Sequence, residues 1–251
     1  LDSSHAFLHR LLMVLLTVTS GCVDAISFLA LGQVFTAAMT GNTVLLGLTV
    51  AHAPGLVAVR YVAALGGFIL GAALGAFILR KKPKTSRLDA AVTLVITIEL
   101  FALVIFWILS TYGQGLAGGL DIDLVVVLAF AMGLQGTAAR RVGISGVTTV
   151  VITSTLLGLM ETVVWQWQHW IKRDLDKGHP STSRASLLSA LTWITVIVSY
   201  GVGAAICSLL MRVFGLHAIW LPVCIVLVVV LTSLYTCLNM GTRENTHNVS
   251  A

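Results

Sequence analysis

Residues 11–30 read LLMVLLTVTSGCVDAISFLA, and residues 34–51 read VFTAAMTGNTVLLGLTVA. The first run is long enough to cross a bilayer as a helix, which takes roughly 20 apolar residues. It reads as a span and not as a signal peptide, because the apolar pattern continues through Phe28 to Leu31. A carboxylate, Asp24, stands deep within it. The second run is shorter, with Thr36, Thr40, Asn42 and Thr43 set among apolar neighbours and Gly41 between them. Glycine lets the backbone open, and irregular backbone at membrane depth is tolerated only where protein or water covers it. The pair therefore predicts a full span followed by a broken or re-entrant segment.

The rest of the chain has the same character. Of 251 residues, 57% are apolar and 10% charged, and the mean hydropathy is +0.97. A soluble domain carries about 25% charged residues. These figures exclude a soluble enzyme, a disordered chain and a nucleic-acid binder. The net charge of +5 does not point to nucleic acid, because the basic residues gather at the ends of apolar runs, where the positive-inside rule puts them. Further apolar runs cover 56–79, 90–110, 122–139, 144–165, 187–211 and 218–238, leaving no room for a soluble domain. Cys22, Cys207, Cys224 and Cys237 all lie in apolar runs and read as small buried hydrophobes. No catalytic set, zinc spacing or phosphate-cradling loop is present, so no enzyme activity, cofactor or metal is expected.

Charge decides the topology. If all eight runs cross, the basic residues divide almost evenly between the two sides. If 34–51 and 144–165 dip in and return, six spans remain. Arg10, the basic loops 80–89 and 168–186, Arg140, Arg141 and Arg243 then lie inside, and Arg60 and Arg212 lie outside. The second arrangement obeys the positive-inside rule. The expected fold is an all-α integral membrane bundle of about six spans plus two broken segments, with seven or eight spans as the alternative. Residues 111–121 carry no Lys or Arg and lead into Asp121 and Asp123, as a non-cytoplasmic loop would.

A shift of about 112 residues lays Gly21 on Gly133, Asp24 on Gly136, Thr36 on Thr148 and Thr43 on Thr155. Allowing for the long loop, Gly71-Ala72-Ala73 matches Gly203-Ala204-Ala205. The reading is one transmembrane domain over 1–251, with repeats at about 11–110 and 122–238. Three spans per repeat make the repeats inverted, a recurring transporter design with broken helices near the midplane.

The candidate substrate-binding residues are the polar groups at repeat-related positions: Asp24, Thr40, Asn42, Thr43, Gln135, Thr153 and Ser154. A carboxylate at that depth costs several kcal/mol unless paired, hydrated or protonated, about 3 on insertion scales. Asp24 is thus either a proton or substrate site or a cap on the orphan N–H groups of a broken helix. Asn42 and the threonines either line a site or bond across helices. Glu99 and Glu161 join Asp24 as proton-coupling candidates. Gly67, Gly71 and Gly75 form a small-xxx-small face that permits close helix contact.

Gly21-x-Val23-Asp24-Ala25-x-Ser27-Phe28-Leu29-x-Leu31-Gly32-x-Val34-Phe35, then Met39-Thr40-Gly41-Asn42 and Leu46-Gly47, resembles the signature of the YoaK family. These are multi-pass membrane proteins of bacteria and fungi, classed under a domain of unknown function. Ala131-Met132-Gly133-Leu134-Gln135, Arg140-Arg141, Thr148-Thr149 and Thr153-Ser154-Thr155-Leu156 carry the resemblance into the second half. Members usually have Gln-Asn-Ala where this chain has Gln135-Gly136-Thr137, and Thr-Gly-Thr where it has Thr153-Ser154-Thr155. The resemblance implies an integral membrane protein and no settled activity.

The expected function is secondary transport of a small solute, with proton coupling as an option. A passive channel and a non-transporting scaffold or sensor are the alternatives. Membrane lipid and a small-molecule or ion substrate are the expected partners, nucleic acid is not, and a homo-oligomer stays open. The expected location is the cell (plasma) membrane.

Overall fold

In a computed structural model, residues 3–80, 90–112, 120–142, 160, 164 and 183–249 are described. The elements are α1 (Ser3–Ala30), α2 (Met39–Val50), α3 (Ala58–Leu79), α4 (Ala90–Tyr112), α5 (Leu120–Arg141), α6 (Ser183–Phe214), a 3-10 turn (Gly215–Ile219) and α7 (Trp220–Val249). The expected second broken segment, 144–165, lies outside the described residues apart from 160 and 164, and the loops over 81–89 and 168–182 lie wholly outside them.

Each long helix follows an apolar run, because a backbone in hydrocarbon must satisfy its own N–H and C=O groups. Five helical stretches are long and apolar enough to cross a membrane: Leu11–Ala30, Ala58–Leu79, Ala90–Tyr112, Asp121–Arg141 and Ile194–Cys237. The last runs for 44 residues and takes in the later part of α6 and the earlier part of α7. It folds back on itself. Cys207 Sγ lies 3.7 Å from the carbonyl of Ala218, whereas a straight helix would hold residues so spaced about 16 Å apart. Gly215, at φ +56°, makes the reversal, since φ in that region favours glycine. The stretch therefore supplies two crossings. α5 begins with Asp121 and Asp123 and ends with Arg140 and Arg141, the charge order its macrodipole favours.

Four helices close a ring: α5 packs on α4, α4 on α7, α7 on α1, and α1 on α5. α3 lies outside this ring against α5, and α6 lies outside it against α1. These flanking contacts are the most intimate in the molecule. Gly67 and Gly71 of α3 meet the carbonyls of Val126 and Phe130, and Gly133 of α5 meets the carbonyl of Phe68. Across the ring, Gly21 of α1 meets the carbonyl of Tyr200, and Gly203 of α6 meets that of Val18. A Cβ on Gly67 would stand 2.6 Å from the Val126 oxygen, closer than atoms approach. The core includes Val23, Ile26, Ile96, Leu103, Phe106, Leu128 and Leu134. Ile69, Leu70 and Phe77 on α3, Phe101 on α4, and Val202 and Leu209 on α6 are exposed. Such apolar outer faces suit a lipid surround.

Candidate functional site

α1 ends at Ala30 and the chain doubles back. Gly32 (φ +88°) and Gln33 (φ +59°) turn it, and Phe35 stacks on Phe28 with ring centroids 4.9 Å apart. Arg60 at the start of α3 lies over Gly32, whose missing side chain leaves room for the guanidinium. The same guanidinium reaches Asp121 at the start of α5, 3.6 Å away. Residues 34–38 then descend to the level of Asp24. Six residues separate Asp24 from the end of α1, so the loop returns about 9 Å into the layer. From there α2 starts outward again, with Asn42 fully buried. This is the first of the two broken segments expected from the sequence.

Asp24 closes the loop. It is 3% exposed. Its Oδ1 accepts from the N–H groups of Thr36 and Ala37, each at 2.7 Å, and its Oδ2 from the N–H of Ala38 at 3.1 Å. The hydroxyl of Tyr200 on α6 donates to Oδ2 at 2.5 Å. Three successive N–H groups ahead of a helix are orphans that need an acceptor, and bonds to a charged acceptor are worth about 1.5–3 kcal/mol each. They offset the cost of the carboxylate at this depth. Asp24 thus has the geometry of a cap on a broken helix.

Asn42 performs the matching task for Phe35. Its Oδ1 accepts from the Phe35 N–H at 2.9 Å, and its Nδ2 donates to the Phe35 carbonyl. Gly41 leaves space for the Phe35 ring, which a Cβ there would meet at 2.9 Å. Thr40 and Thr43 stand on the exposed face of α2, and Thr43 bonds only to the carbonyl of Met39.

Gln135 does not join this cluster. It sits between α5 and α1, donating to the Leu16 carbonyl at 2.6 Å and accepting from Ser20 at 3.3 Å. Thr153, Ser154 and Glu161 lie outside the described residues. Glu99 is fully buried on the ring side of α4, and among the described residues neither of its oxygens has a hydrogen-bond partner. Beneath it, toward the end bearing Arg140 and Arg141, a small apolar cleft lies between all four ring helices. Leu12, Met13 and Leu16, Val92 and Ile96, Ala138 and Ala139, Val142 and Val229 line it. Among the described residues no group of three or more His, Cys, Asp or Glu side chains is placed to hold a metal.

Sequence reasoning did not find Tyr200 or Ser20. Tyr200 is a polar-tipped residue inside the apolar run 187–211, and such a phenol usually seeks a buried partner. That was the available signal.

Comparison with known proteins follows this geometry closely. The family described as "Protein of unknown function (DUF1275)" matches residues 12–232. UPF0700 transmembrane protein YoaK of Bacillus subtilis (strain 168) is 34% identical over 222 residues, covering 88% of this chain and 92% of that protein. No solved structure matches. The match takes in Gly21, Asp24, Gly32, Phe35, Gly41 and Asn42, the residues that fasten the re-entrant loop, and the chain belongs to this family of multi-pass membrane proteins of unknown function.

Proposed function

We propose that the protein is a secondary transporter of a small solute in the cell membrane, working by alternating access of two inverted repeats. The observation that carries this reading is a repeated pair of contacts. In α1 and α6, Gly21 meets the Tyr200 carbonyl and Gly203 meets the Val18 carbonyl. In α5 and α3, Gly133 meets the Phe68 carbonyl and Gly71 meets the Phe130 carbonyl. The shift of about 112 residues that aligns the halves carries Val18 and Gly21 onto Phe130 and Gly133. One longer shift carries Phe68 and Gly71 onto Tyr200 and Gly203. Two glycine-sealed helix pairs then flank a ring in which α1 opposes α4 and α5 opposes α7. Inverted repeats with a broken helix are a transporter architecture, and the residues lining the cleft lie toward the Arg140 and Arg141 end of the ring.

The symmetry makes a definite prediction. When the halves exchange conformations, the cleft moves to the other end. The counterparts of Leu12, Met13 and Leu16 are Leu124, Val125 and Leu128, and the counterpart of Ala138 is Ile26. All four counterparts are buried. In a background with Cys22, Cys207, Cys224 and Cys237 replaced, Leu124→Cys and Val125→Cys should resist an impermeant thiol reagent added outside. They should become reactive when a transported solute is supplied, while Met13→Cys loses its reactivity from inside. Reagent-insensitive cysteines at both ends, across a metabolite and ion panel, would favour the scaffold reading. That second reading is supported by Asp24 and Asn42, whose bonds are taken up by the chain's own backbone.

A further inference from the structure

Glu99 stands near the middle of α4, in a buried stripe with Val92, Ile96, Leu103 and Phe106. It is 0% exposed, and neither carboxyl oxygen has a donor among the described residues. Three things can compensate a carboxylate in such surroundings: hydrogen-bond donors, a cation or a proton. Donors are absent among the described residues. The ionisable groups on the elements packed against α4 are Arg60 and Tyr61 on α3, Asp121, Asp123, Arg140 and Arg141 on α5, His217 in the turn, and Cys224, Tyr235, Cys237, Arg243, Glu244 and His247 on α7. Among the described residues none of them pairs with Glu99. A metal cation would need several further oxygen ligands, and no such cluster is found among the described residues. A proton needs none. Asp24, by contrast, is held by three N–H groups and a phenol and has no need of one.

The apolar cleft lies next to Glu99 along α4. Ile96, one turn from Glu99 on the same face of α4, lines the apolar cleft, and so do Ala138 and Ala139, one turn from Gln135. The closed end of the cleft therefore abuts the layer that holds the acid. We infer that Glu99 is a proton-binding site of the bundle interior, loaded through the cleft between α1, α4, α5 and α7. The carboxylate takes one proton from a hydronium ion reaching it through the cleft: one O–H bond forms on the carboxyl group as one breaks on the hydronium ion, leaving water. The reverse transfer to water restores the carboxylate and the hydronium ion. The use of this proton to drive solute rests on the transport reading; the site itself does not.

The test is infrared spectroscopy of the full chain in lipid nanodiscs at neutral pH. A carbonyl stretch of a neutral carboxylic acid is expected in the native protein. It should vanish in Glu99→Gln and persist in Asp24→Asn. Glu99→Asp, which keeps an acid, should move the band without removing it, and this covers the case in which Glu99→Gln fails to fold. Exchange into D2O should shift the band. A bulky maleimide on Ala138→Cys, in the cysteine-replaced background, should slow that shift. A native protein without the band, or a band unchanged in both Glu99 variants, overturns the proton site. A shift whose rate ignores the maleimide overturns the route. Absence of solute-driven reactivity at Leu124→Cys with the band intact would overturn transport and leave the proton site standing.

Discussion

At the scale of single residues, Asp24 and Asn42 divide one task. Asp24 holds the backbone of Thr36, Ala37 and Ala38, and Asn42 holds both polar groups of Phe35. An unsatisfied buried donor costs about 1–3 kcal/mol. Asp24→Ala strands three of them and should destabilise the reconstituted protein by at least about 3 kcal/mol. Asn42→Ala should cost about 2–4 kcal/mol through the two groups on Phe35. Tyr200→Phe removes one bond to a charged acceptor and should cost less, about 1.5–3 kcal/mol. Chemical denaturation followed by tryptophan fluorescence ranks the three. Asp24→Ala should also open residues 31–38 to proteolysis, and an Asp24→Ala protein as stable as the native one would refute the capping role. The sequence marked Asp24 and Asn42 as unusual, because polar groups in apolar runs are conspicuous. It did not supply their partners. Tyr200 lies 176 residues away, and Phe35 offers only its backbone, which carries no sequence signal.

At the scale of elements, backbone contact is the dominant packing device. Gly66 and Gly67 are neighbours with opposite surroundings. A Cβ on Gly67 meets the Val126 carbonyl at 2.6 Å, whereas one on Gly66 meets nothing within 4 Å. Gly67→Ala should therefore force α3 from α5 and cost about 1–3 kcal/mol, the usual penalty of overpacking. Gly66→Ala should be neutral or stabilise by up to about 1 kcal/mol through helix propensity. The same denaturation measurement separates them, and equal effects would show that the two helices do not meet as described. The small-residue series at Gly67, Gly71 and Gly75 was readable as a contact face, because its spacing keeps it on one side of a helix. Which helix it meets was not readable. α5 is joined to α3 through space and not through sequence, and the intervening α4 packs mainly elsewhere.

At the scale of the whole molecule, the described residues supply six long helices, five apolar stretches and one reversal. As a single crossing, α3 places Pro54 and Arg80 on opposite sides. Pro54→Cys should react with an impermeant reagent in intact cells, and Arg80→Cys only after the membrane is opened. Labelling of both from outside would overturn the topology. The all-helical bundle was legible because hydropathy and the positive-inside rule act on whole segments and tolerate local error. The first broken segment was legible for the same reason, through its excess of Thr, Gly and Asn over the residues of a plain span. The reversal at Gly215 was legible only as a gap between apolar runs, since a glycine alone does not separate a turn from a kink.

Tyr200 joins two of these scales. Its carbonyl is the surface on which Gly21 rests, and its hydroxyl grips Asp24 one turn further along α1. A helix seated on a glycine alone is free to roll. One that also extends an arm to the neighbouring turn is keyed, like a shaft in a slot. α6 cannot spin about its own axis without drawing the phenol from the carboxylate that holds α2. Tilting or sliding of α6 must then carry α1 and the start of α2 along, so that the first broken helix travels as cargo on a locked joint.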